Sequence, residues 1–265
     1  MTWGHFLISS WSWHPEVILG CIGLGALYAY LSELKVDGQA VFFYLGLALL
    51  FLALESPLDV LSDDYLFSAH MLQHLILILF VAPLFLLGLP SQWIQRILDW
   101  KPTARLEKVF GLPAVAWSIG VATLYFWHIP VFYNAAIANE NIHTLEHLCF
   151  LVSAVIFWWP VILPNQEKRR LSAFGNMLYI FAGAVANVVL GIVITFSSVS
   201  LYPAYVHPED AFGILPLIRN GLGITPQSDL QLGGLLMWIP GGIFYLSAIL
   251  IAFAHWFHQP DLEVT

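Results

Sequence analysis

His70 and His74 stand four residues apart in Ser68-Ala69-His70-Met71-Leu72-Gln73-His74, at the head of a long apolar run. On a helix that spacing sets both imidazoles on one face, one turn apart. A second pair, His143 and His147, heads another apolar run, with Glu146 between its members. Ionisable side chains are costly inside hydrocarbon and tend to mark function. Neutral imidazole is the commonest metal ligand, so two pairs on two helices offer four nitrogens to one or two ions. The plainer alternative is a set of interhelical hydrogen bonds or a proton relay. Gln73 and Glu146 are placed to accept ring N–H groups and so orient the ligands.

Further candidates lie at similar depth. His128 ends one apolar run, His14 precedes another, and Asp59 and Asp229 sit just before two more. His14, His128 and Asp229 each have an alternative as an interfacial hydrogen-bonding residue. Met71 and Met237 carry thioethers that suit Cu(I), against the alternative of core packing. Imidazole suits zinc, copper, iron and nickel, with affinity peaking at Cu(II). Mixed His and Met ligation would let copper be held and passed on. Zinc would imply a hydrolytic site with Glu146 or Asp59 as base. Haem would need two histidines facing each other, as His74 and His147 could. Cys21 and Cys149 have no Cys-x-x-Cys partner, so no thiolate site is spelled locally.

These residues sit on elements that must be membrane helices. Of 265 residues, 59% are apolar and only 10% charged, and mean hydropathy is +0.79; soluble domains carry about 25% charge. The net charge of −8 leaves nothing basic enough for nucleic acid. Seven apolar runs approach the roughly 17–25 residues of a spanning helix: about 15–32, 39–54, 65–88, 113–130, 143–163, 173–198 and 232–256. The expected fold is an all-α, seven-helix polytopic bundle forming a single domain over 1–265. Prolines 57, 90, 113, 130, 164 and 203 mark its breaks, while Pro83, Pro160 and Pro240 fall inside or near the ends of spans and are expected to kink them. The N-terminus lacks a basic n-region and a cleavage site, so the first span is expected to remain.

Lys35, Arg96, Lys101, Arg105, Lys108, Lys168, Arg169 and Arg170 fall in loops on one side, and only Arg219 on the other. The positive-inside rule then places the N-terminus outside and the C-terminus in the cytoplasm. Histidines 14, 70, 74, 128, 143 and 147 gather at the outer leaflet, while His255 and His258 anchor the inner interface. The stretch 91–112 suits a short helix lying on the cytoplasmic surface, and 199–231 an ordered outer cap.

The chain resembles the CtaG-type family of cytochrome c oxidase assembly factors, the group linked to caa3-type oxidases. The resemblance rests on Ser56-Pro57-Leu58-Asp59, the His70/His74 segment, Ala82-Pro83-Leu84 with Leu87-Gly88-Leu89-Pro90, Trp127-His128-Ile129-Pro130 with Tyr133, His143-Thr144-Leu145-Glu146-His147, and Leu232-Gly233-Gly234-Leu235-Leu236-Met237-Trp238. It runs across nearly all seven spans. It implies a bacterial plasma-membrane protein that matures a haem-copper oxidase at its copper centres, with oxidase subunits and the bilayer as partners. The expectation is therefore a non-enzymatic protein that holds and delivers copper. His70, His74, His143 and His147 are its direct ligands, His128, His14 and Met237 further ones, and Glu146 and Asp59 tune or bridge. An intramembrane zinc hydrolase and a b-type haem protein are the alternatives.

Overall fold

A backbone facing lipid can satisfy its N–H and C=O groups only within helices or closed barrels, and each of the seven apolar runs is helical. The computed structural model describes residues 2–35, 37–162 and 170–258; Pro164, Lys168 and Arg169 lie outside them. In chain order the helices are α1 Trp3–Ser9, α2 Pro15–Leu31, α3 Gly38–Glu55, α4 Pro57–Val60, α5 Phe67–Gly88, α6 Ser91–Asp99, α7 Lys101–Phe110, α8 Pro113–His128, α9 Pro130–Ala138, α10 Glu140–Ile162, α11 Ala173–Thr195 and α12 Pro226–Phe257. No strand occurs among the described residues.

Among the described residues, five helices are long and apolar enough to cross a membrane: α3, α5, α10, α11 and α12. A sixth crossing appears if α7 and α8, bent by 74° at their junction, count as one. The remaining apolar helix, α2, has 17 residues. It ends where Glu33 and Leu34 take positive φ, and α8 ends at His128, with extended Ile129 held before Pro130. At 1.5 Å per residue these two are about 24–26 Å long, short of the roughly 30 Å hydrocarbon core. By length and composition, then, the described residues supply five or six candidate spans of a multi-pass membrane protein, and the expected count of seven rests on the shorter α2 as well.

Helix ends also differ from the periodicity reading. Helix α12 starts at Pro226 rather than 232, because Thr225 and Ser228 form a reciprocal capping box. Helix α10 starts at Glu140, which sets its histidines one turn inside. The single surface helix expected over 91–112 is two, α6 and α7, parted at Trp100 ahead of Pro102. Helix α6 turns Ile94 and Leu98 into the protein. Pro83, Pro160 and Pro240 lie within continuous helices, and a π turn over Ile76–Val81 precedes the first of them.

The tightest helix pair is α11 with α12. A Cβ on Gly234 would stand 2.7 Å from the Gly191 carbonyl oxygen, and one on Gly191 2.9 Å from that of Gly234. Small residues there let the two backbones touch. The bundle has two chemically distinct ends. At one, Tyr28 Oη donates to Gly88 O (2.9 Å) and Arg170 pairs with Glu107 (2.7 Å). At the other, the segment after α11 folds back as the expected cap: Tyr202 Oη donates to His128 O (2.7 Å) and Tyr205 Oη to Ser62 O (2.8 Å). Arg219 donates to Tyr205 O and Ile224 O, both at 2.9 Å.

Candidate metal centre

The N-terminus of α5 is capped from another helix. Asp229, in the first turn of α12, accepts the N–H groups of Phe67 (2.8 Å) and Ser68 (3.1 Å) and the Ser68 hydroxyl. One buried carboxylate thus satisfies orphan donors of α5 while sitting at the positive end of its own helix. Asp229 is a positioning residue, not the ligand its sequence position allowed. One turn further along α5, His70 and His74 project inward with ring centroids 4.1 Å apart. From α10, His143 stacks on His70 at 5.2 Å, and Glu146 Oε2 approaches His70 Nε2 to 3.9 Å.

His70, His74, His143 and Glu146 each turn one donor atom into a common space, all within 4.8 Å of one another, and all four are buried. Around one ion with bonds of about 2.0–2.1 Å, tetrahedral donors stand about 3.4 Å apart, so the widest pair has roughly 1.4 Å to close. His147 lies beside the group, 4.1 Å from His143 and 5.3 Å from His74 between ring centroids.

The donors lack other employment. Among the described residues, twelve buried side-chain N and O atoms have no hydrogen-bond partner, and eight belong to this cluster: both nitrogens of His70 and His74, Nε2 of His143 and His147, and both oxygens of Glu146. An unsatisfied buried polar group costs about 1–3 kcal/mol. A cation at the shared point satisfies several of these atoms at once, so the donor set fits a metal.

The remaining predicted residues fall elsewhere. His14 occupies the N-cap position of α2, with Nδ1 3.6 Å from Glu55 and 4.0 Å from Asp59. Asp59 accepts from Ser12 Oγ (2.7 Å) and Gln73 Nε2 (2.9 Å). Burial first, then the neighbouring charge of Asp63, pushes its carboxyl up to about 6. Gln73 is consumed by Asp59, Ala53 O and Ser62, so it orients no histidine. His128 and Met237 line a separate cavity that His74 also borders.

Asp63 is the residue the sequence reading passed over as a site residue. Its Oδ2 lies 3.3 Å from His143 Nδ1, which leaves Nε2 to face the cluster. Carboxylate–histidine–metal arrangements of this kind fix tautomer and ring angle. Its signal was weak: one acid among several in 55–64, brought inward by a π turn over Leu61–Tyr65. Asp63, Asp59, Glu16 and His14 also line a cavity of about 290 Å³ that reaches His143 and His147.

Two curated relatives match part of this chain. Uncharacterized proteins of Mycobacterium bovis and Mycobacterium tuberculosis are each 22% identical over 209 residues. That region is 73% of this chain and 30% of each relative, so the chain spans under a third of the length of the proteins it matches. No solved structure matches it. The profile of the cytochrome c oxidase caa3 assembly factor family (Caa3_CtaG) matches residues 22–259. With that match covering the histidine helices α5, α8 and α10 together with α12, the chain belongs to the cytochrome c oxidase caa3 assembly factor family.

Proposed function

We propose that the chain holds copper at His70, His74, His143 and Glu146, with His147 alongside, and delivers it to a haem-copper oxidase during assembly. The observation that carries this reading is the convergence of one buried donor atom from each of His70, His74, His143 and Glu146 within 4.8 Å, in a member of an oxidase assembly family. Two further features support it. The 5.3 Å between the His74 and His147 ring centres and a neighbouring cavity of about 40 Å³ favour a bare ion over a macrocycle. Burial of His70 and Glu146, both at 0% exposure, favours storage over a hydrolytic zinc site, which needs an open position for water.

In this reading all seven apolar helices cross the bacterial plasma membrane, α2 and α8 among short or tilted neighbours. The end bearing Lys35, Arg96, Lys101, Arg105, Lys108 and Arg170 faces the cytoplasm, and the histidine end faces outward with the N-terminus. The acidic cavity at His14 and Asp63 admits the cation from that side. The client is an oxidase subunit bearing a copper centre, and no substrate is turned over. Metal analysis of purified protein tests the reading. Wild type carries copper, and His70→Ala/His74→Ala loses it while remaining folded. Equal copper in both proteins overturns it.

A further inference from the structure

His128 ends α8 on the far side of His74 from the four-donor cluster. Its Nδ1 lies 2.7 Å from the Leu124 carbonyl oxygen. A carbonyl only accepts, so Nδ1 carries the hydrogen and Nε2 of the neutral ring presents its lone pair. That lone pair points at Met71 Sδ, 3.4 Å away. A thioether has no hydrogen to offer. Two electron-pair donors therefore face each other, with His128 at 6% exposure and Met71 at 1%.

We propose that His128 Nε2 and Met71 Sδ form a second, soft-metal site that takes Cu(I). One nitrogen and one thioether are the ligand types that select this ion. Donors at about 2.0 and 2.3 Å from one ion at a near-tetrahedral angle stand about 3.5 Å apart, close to the separation seen. The site borders a cavity of about 40 Å³ whose walls include His74 and Met237, room enough for an ion with a third ligand. Met71 is held from behind by Gly233, where a Cβ would reach 3.1 Å from Met71 Cγ. Asn187 Nδ2 donates to Met237 O at 2.7 Å and steadies the opposite wall.

His74 joins the two sites. Its ring is 4.1 Å from His70 on one side and 6.4 Å from His128 on the other, centre to centre. Cu(I) can pass by ligand exchange through His74, with no electron transferred and no free ion in the bilayer. The identity of the metal rests on the copper reading above; the two-donor geometry does not.

The test is an anaerobic titration of the intact, detergent-purified protein with Cu(I) against a competing chromogenic chelator, paired with X-ray absorption at the copper edge. Wild type is expected to bind two equivalents and to show copper–sulfur scattering. Met71→Leu, which conserves volume, loses one equivalent and the sulfur signal. His143→Ala loses the other equivalent and keeps the sulfur signal, so each site can fail without the other. Absence of sulfur scattering in loaded wild-type protein overturns the proposal whether or not any variant folds. Unchanged stoichiometry in Met71→Leu, or a sulfur signal that persists there and so comes from another sulfur side chain, also overturns it.

Discussion

Asp63→Asn offers a direct measure of how the carboxylate beside His143 would hold the proposed cation. Asp63 Oδ2 is 3.3 Å from His143 Nδ1, and across the ring an ion on Nε2 would lie about 7–8 Å from the carboxylate. A unit charge pair at that distance is worth about 2 kcal/mol at an effective dielectric of about 20. The Asp63 side chain is 35% exposed, so solvent screening reduces this to about 1 kcal/mol. Removing the charge while leaving an amide oxygen to accept the ring N–H should therefore weaken metal binding about 5- to 10-fold. Asp63→Ala, which also frees the ring to rotate, should reach the upper part of the roughly 10- to 100-fold range for lost orienting partners. Chelator competition on the purified protein reads both. Asp64→Asn is the control, since its side chain is exposed and touches no histidine among the described contacts. An affinity within twofold of wild type for both Asp63 variants would refute the account of His143 orientation.

Other outcomes follow from the same geometry. Glu146→Gln keeps shape but removes the carboxylate donor facing His70, and should lower copper content severalfold without unfolding the protein, as read by elemental analysis beside a thermal melt. Asp229→Ala strips the cap from α5 and should cost about 1–2 kcal/mol, visible as a lower melting temperature in detergent together with weaker metal binding. Gly234→Ala drives a methyl into the Thr195 hydroxyl and the Gly191 carbonyl, and should destabilise by about 1–3 kcal/mol through separation of α11 and α12. Tyr205→Phe removes the hydroxyl between Ser62 O and Tyr133; a loss of about 1 kcal/mol should appear as faster proteolysis of the 199–225 cap with the bundle intact.

What the sequence determines by itself is whatever depends on neighbours along the chain. Apolar length dictates helices, and four-residue spacing alone places His70 over His74 and His143 over His147, each pair 4.1 Å apart between ring centres. Proline marks the starts of α2, α4, α8, α9 and α12, because a missing N–H costs nothing in a first turn. Which pair meets which, and with what rotation, depends on packing between helices, and no local pattern encodes that. Only the tertiary structure turned Glu146 toward His70, spent Gln73 on Asp59, and carried His128 away from the cluster to face Met71. Asp63 and Asp229 show the same division: as letters they are acids near a membrane surface, and they acquire separate roles because a π turn and a capping box aim one at His143 and the other at the N-terminus of α5.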